Sequence, residues 1–125
     1  MKYLIHLSIL LFSCLSFCQE CDEVKTGNFL LTDERVDYEG EINRNDTIQT
    51  EINKKTGHIT KGTVDWIDDC TYKMTYRESN SPMVKNYIGK SITTQIIRIN
   101  EGIIYFKCWM GGIDFIAEGQ MKIID

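Results

Sequence analysis

Cysteines are the residues of this 125-residue chain best able to form a covalent link, and their spacing splits them into two groups. Cys14 and Cys18 stand in an apolar leader, while Cys21, Cys70 and Cys108 follow it. Three thiols allow one crosslink and leave one over. Cys21 lies in a short tail that a bridge would tie down, and Cys108 lies in an apolar run where an unpaired thiol packs as a small hydrophobe. Cys21–Cys70 is therefore the favoured pair, with three buried free thiols as the alternative. Closing a loop of about 50 residues would stabilise the fold by roughly 4 kcal/mol through the entropy of the unfolded chain. No Cys-x-x-Cys occurs, and His58 is the single imidazole after the leader, so neither a metal nor another cofactor is expected.

The same shortage of imidazole argues against nucleophilic catalysis, because His58 sits beside Gly57 in a turn with no nucleophile spaced to meet it. Acids occur as the neighbours Asp22/Glu23, Asp33/Glu34 and Asp68/Asp69. Adjacent strand residues point to opposite faces, so such pairs cannot oppose each other across a glycosidase cleft. Asp65, Asp68 and Asp69 lack the glycine and the spaced oxygen ligands of a calcium loop. A non-enzymatic chain is expected. The suggestive feature is aromatic: Trp66, Tyr72 and Tyr76 fall on the inward parity of two successive strands. There they would either line a cavity for a small apolar ligand or fill the core.

The elements that must hold these residues are strands. Cys70, Tyr72, Met74 and Tyr76 alternate with Thr71, Lys73, Thr75 and Arg77, and Gly62, Val64 and Trp66 alternate with Lys61, Thr63 and Asp65. Further alternating runs cover residues 27–31, 41–43, 47–53, 91–99, 103–110, 113–117 and 120–124. Turn residues such as Arg44-Asn45-Asp46, Lys54-Lys55-Thr56-Gly57 and Asn100-Glu101-Gly102 separate them. Short strands joined by hairpins predict an all-β antiparallel meander of about eight strands, forming a small barrel or a strongly curved sheet. Around residues 96–110 both parities are apolar, with Tyr105 and Trp109 opposite Phe106 and Cys108. The outer face there is either covered by residues 84–90 or forms a contact surface.

Residues 1–18 read as a signal peptide, with Lys2 as the positive start, an apolar stretch from Tyr3 to Phe17, and small side chains at Ser16 and Cys18 before a cut. The stretch is short for a bilayer span, and no second one follows. Reading Leu15-Ser16-Phe17-Cys18 as a lipobox would anchor Cys18 to lipid, but Phe17 is bulky where that signal wants a small residue. A single β domain, residues 19–125, would be exported to the periplasm or beyond. The net charge of −4, without a basic run, excludes a nucleic-acid binder of the usual electrostatic kind.

Taken together, Cys21-x-x-x-Lys25-x-Gly27-x-Phe29, Arg44-Asn45-Asp46-Thr47-Ile48-Gln49-x-Glu51, Val64-x-Trp66-Ile67-x-x-Cys70-Thr71-Tyr72 and Ile88-Gly89-Lys90 resemble a group of small exported proteins of Bacteroidetes-type bacteria. The likeness covers most of the chain after the leader. The group has no established activity, so the resemblance implies no catalytic residue. Some members carry the label DNA topoisomerase IV, which an acidic domain of this size contradicts: that enzyme needs an active-site tyrosine within a large DNA-binding assembly. The resemblance places Cys21 and Cys70 in one pattern, supporting their pairing, and leaves Cys108 outside it. Asp46-Thr47-Ile48 also has the form of the O-glycosylation sequon of such bacteria, with Thr47 as acceptor. The expected role is an exported β domain that binds a small apolar molecule or a partner surface. The alternative is a secreted inhibitor of a hydrolase such as lysozyme, whose basic surface an acidic chain would complement.

Overall fold

A computed structural model describes residues 20–111 and 116–124. Eight antiparallel strands follow one another in chain order: β1 (Gly27–Asp33), β2 (Tyr38–Arg44), β3 (Ile48–Asn53), β4 (Ile59–Asp68), β5 (Thr71–Ser79), β6 (Ser91–Asn100), β7 (Ile103–Met110) and β8 (Ile116–Ile124). β8 returns to pair with β1, and the sheet closes into a barrel. This is the antiparallel all-β architecture that the alternation predicts. The expected signal helix falls on residues 1–18, outside the described residues. Of the two final strands expected, residues 116–117 and 120–124 belong to the one strand β8, and residues 113–115 also lie outside the described residues.

Local chemistry sets the turns. Glu101 and Gly102 both take positive φ, 51° and 76°, as a two-residue hairpin between twisted strands requires. At the β2–β3 turn the Asn45 side-chain oxygen accepts the Thr47 N–H at 3.0 Å and the Ile48 N–H at 2.8 Å, which fixes the register of the hairpin.

The two ends of the barrel are built differently. At the end where β1 begins, residues 20–23 form a helical turn, and the segment that follows lies across the opening. Cys21 and Val24 of this plug are buried in the same core as Phe29, Ile42, Ile104 and Met121. A disulfide joins Cys21 to Cys70, in the β4–β5 turn, with the Cα atoms 5.3 Å apart. Burying each such large apolar side chain contributes roughly 1.5–3 kcal/mol.

Three inward glycines make room for large neighbouring side chains. A side chain at Gly119 would meet the Phe106 ring at 2.7 Å, and one at Gly40 would meet the Tyr38 hydroxyl at 2.6 Å. Gly62 is in the same position against Met74. In each case the large neighbour lies flat over the glycine backbone instead of standing up into the lumen.

Two features depart from the sequence reading. The apolar parity of β3 faces solvent, with Ile48 and Ile52 43% and 41% exposed, while Gln49 and Glu51 point inward. The reason is pairing: Arg44 lies opposite Gln49 and Ile42 opposite Glu51, and strand partners share a face. Residues 84–90 do not cover β7. They contain a single 3-10 turn, Lys85–Tyr87, that extends the edge of β5 through hydrogen bonds between Tyr76 and Gly89–Lys90. The outward ring of Tyr105 is covered instead by Arg98, whose guanidinium lies 4.1 Å from its centre.

Candidate functional site

At the plugged end Arg44 is the largest fully buried side chain, and no carboxylate pairs with it among the described residues. Its guanidinium donates to the backbone carbonyls of Lys25 (2.9 Å) and Val24 (2.7 Å) and to the Gln49 amide oxygen (3.0 Å). Three rings surround the cation: Tyr72 at 4.6 Å, Phe29 at 4.7 Å and Trp66 at 5.7 Å. Neutral acceptors and aromatic faces thus take the place of a counterion. Because two of the acceptors are plug carbonyls, Arg44 holds the plug from inside while the disulfide holds it from the β4–β5 turn.

At the other end the interior carries a carboxyl group. Glu51 accepts a hydrogen bond from the Tyr38 hydroxyl, and Tyr76 stands near enough to feel its charge. Burial raises the pKa of Glu51 above the ordinary carboxylate range, opposed in part by the Tyr38 hydrogen bond. Burial first, and the Glu51 charge second, push the Tyr76 phenol up to about 12; the same causes raise Tyr38. Cys108, the free thiol, is buried beside this group, and its pKa is likewise raised by burial.

A recess of about 510 Å3 opens next to these side chains, and its walls include Leu31, Tyr38, Phe106, Cys108 and Ala117. The strand pairing explains it. β1 and β8 pair from Asn28↔Ile124 only as far as Thr32↔Gln120, whereas β8 pairs with β7 all the way to Ile116. Beyond Thr32 the β1–β2 hairpin therefore leaves β8, and the wall opens between them. The backbone of β8 near Ala117 and Gly119 has no strand partner on that side. The recess offers an apolar inner wall, an unpaired strand edge and the Tyr38 hydroxyl, beside a polar border that includes Asp33, Glu34, Arg35, Glu118 and Gln120. Its size is within the roughly 300–1,000 Å3 of small-molecule sites.

Trp66, Tyr72 and Tyr76, expected to share one cavity, are divided between the ends. Trp66 and Tyr72 pack with ring planes tilted by 50° and centres 4.8 Å apart, and the Arg44 guanidinium fills the space that a ligand would need there. Tyr76 lies towards the open end, 6.5 Å from the ring of Tyr87. None of the three lines the recess. Thr47 is exposed in the β2–β3 turn, and Cys18 is outside the described residues. The sequence reading gives Arg44, Glu51 and Tyr38 no role in a site and places Arg44 in a turn. The signal for Arg44 was its parity, since it stands two residues after Ile42 on the same face of β2.

His58 occupies the β3–β4 connection, where its carbonyl accepts the Asn53 N–H at 2.9 Å. Among the described residues no group of three or more His, Cys, Asp or Glu is placed to hold a metal ion. No helix there is long and apolar enough to cross a membrane. The class that the fold defines is a closed, eight-stranded, antiparallel meander barrel, plugged at one end and indented at the other. Compared with known proteins, the chain matches no family model, no curated protein and no solved structure.

Proposed function

We propose that this protein is an exported, non-enzymatic barrel that carries a small, mainly apolar molecule in the recess between β1 and β8. The observation behind this reading is the asymmetry of the interior. The plugged end is filled around Arg44 and keeps a smaller recess of about 370 Å3 between the plug and the start of β1, whereas the other end keeps about 510 Å3 walled by inward-facing Leu31, Phe106, Cys108 and Ala117. A ligand there would bury its apolar body against these side chains and direct one polar group to the Tyr38 hydroxyl or the unpaired edge of β8. Catalysis is disfavoured because Glu51, the interior carboxyl group, is engaged by Tyr38 and has no opposing acid or imidazole beside it among the described residues. Export is supported by the disulfide, which persists in oxidising compartments, and by the apolar leader.

The test is to strip the purified protein of lipid and titrate it with an apolar fluorophore. Saturable binding is expected, and Ala117→Trp, which fills the recess, should weaken it by about tenfold or more, as loss of a pocket's contacts does. Binding that Ala117→Trp leaves unchanged would overturn the site. Intact mass of the exported material tests the rest: a start at Gln19 supports the soluble form, a lipid adduct on Cys18 would replace it, and a sugar mass on Thr47 would establish the sequon.

A further inference from the structure

We infer that the open end of the barrel is a docking surface for a membrane bearing anionic lipid headgroups. The observation is a separation of charge along the barrel axis, independent of whether the recess holds a ligand. At the plugged end the connections carry Glu20, Asp22, Glu23, Asp46, Asp69 and Glu101 against one cation, Lys25. At the open end, residues 33–37, 54–58 and 80–90 carry Arg35, Lys54, Lys55, Lys85 and Lys90 against Asp33, Glu34 and Asp37, and the sequence of the fourth connection, residues 111–115, adds Asp114. On a chain of net charge −4, the open end therefore gathers cations that the plugged end lacks. Lys55 is paired with Asp37, and Arg35 with Asp33. Lys54, Lys85 and Lys90 pair with no carboxylate among the described residues.

Apolar side chains project from the same rim. Met83 and Val36, 81% and 71% exposed, are the most exposed large hydrophobics among the described residues, and the β5–β6 connection that carries Met83 also exposes Ile88 and Tyr87. A single exposed hydrophobe needs no explanation. Apolar tips interspersed with ammonium groups are what the headgroup region accepts, since the tips reach the acyl boundary while the cations meet anionic lipid. Ile67, 62% exposed at the plugged end, stands next to Asp68 and Asp69, which an anionic surface would repel. The rim is also a connected surface. Lys54 N–H donates to the Glu39 carbonyl at 2.9 Å, and Ile59 N–H donates to the Asn80 side chain at 2.8 Å, tying each connection to a neighbouring strand. Val36 borders the recess, so docking by this end would set the recess against the lipid.

Residues 20–124 contain the eight described strands, the plug and the crosslink, so the test uses the chain from Gln19 onwards, floated with vesicles. Vesicles of phosphatidylcholine alone are compared with vesicles that also contain phosphatidylglycerol. Partition into the anionic vesicles is expected, falling steeply as salt is raised. Lys85→Glu with Lys90→Glu, and separately Met83→Asp with Val36→Asp, should each reduce it by about tenfold, while Ile67→Asp leaves it unchanged. All of these positions are exposed, and an unchanged far-ultraviolet spectrum checks that the variants fold. No partition, or equal partition into neutral vesicles, overturns the inference. So does sensitivity to charge without sensitivity to Met83 and Val36, the result expected for an acidic protein as partner.

Discussion

Arg44→Met is the sharpest probe of how the barrel closes. Methionine keeps much of the apolar contact with Phe29 and Tyr72 but deprives three acceptors of their donor: the carbonyls of Val24 and Lys25 and the Gln49 amide oxygen. A buried polar group left without a partner costs about 1–3 kcal/mol. Relief of the guanidinium's own desolvation offsets part of that sum. A net loss of about 2–4 kcal/mol is expected, a large fraction of the roughly 5–15 kcal/mol that stabilises a domain of this size. It corresponds to a fall of about 10–25 °C in melting temperature. Urea unfolding with the disulfide intact gives the magnitude, and amide exchange over residues 20–26 gives the location. Exchange should accelerate in the plug before the strands, because both plug carbonyls lose their anchor. Arg44→Lys should recover less than half of the loss, since one ammonium cannot span the three acceptors or stack between the rings. Stability within about 0.5 kcal/mol of the parent, with plug exchange unchanged, would refute the role assigned to the guanidinium.

Replacing Cys21 and Cys70 with Ser opens a link across 49 residues and should remove about 4 kcal/mol, measured by the same unfolding curves. Combined with Arg44→Met the losses should sum to less than their total, because both changes release one plug. Glu51 has a folded-state pKa raised by burial, so its contribution to stability is greatest below the unfolded carboxyl value of about 4.3 and is lost as pH rises through the folded value. Glu51→Gln should therefore gain on the parent as pH increases above the ordinary carboxylate range, in unfolding curves taken at several pH values. Tyr38 and Tyr76 should ionise above the ordinary tyrosine value of about 10 in a titration followed by phenolate absorbance. Their contribution to stability should fall as pH rises from about 10, where unfolded tyrosines ionise.

The strands could be read from the sequence because period-two alternation is a local property. Tyr72, Met74 and Tyr76 share a face whatever the rest of the chain does, and they are found on the inward face of β5. Turn chemistry is equally local, and Glu101-Gly102 turns the chain between β6 and β7 where expected. The Cys21–Cys70 link was also legible, from Cys21 in a tail that needs tying down and Cys108 in an apolar run that buries a free thiol.

What alternation cannot supply is which face is inside and what fills it. On β3 the apolar residues Ile48 and Ile52 face water, since pairing with β2 brings Gln49 to Arg44 and Glu51 to Tyr38, and those partners satisfy the inward polar groups. Trp66 and Tyr72 had the right parity for a ligand cavity, but a guanidinium from another strand occupies that space. The recess depends on where β8 stops pairing with β1, a contact between the two ends of the barrel sequence. Side-chain direction is fixed within a strand by neighbouring residues. The environment that each direction meets is fixed by barrel closure, which joins residues distant in sequence, and only the tertiary structure decides it.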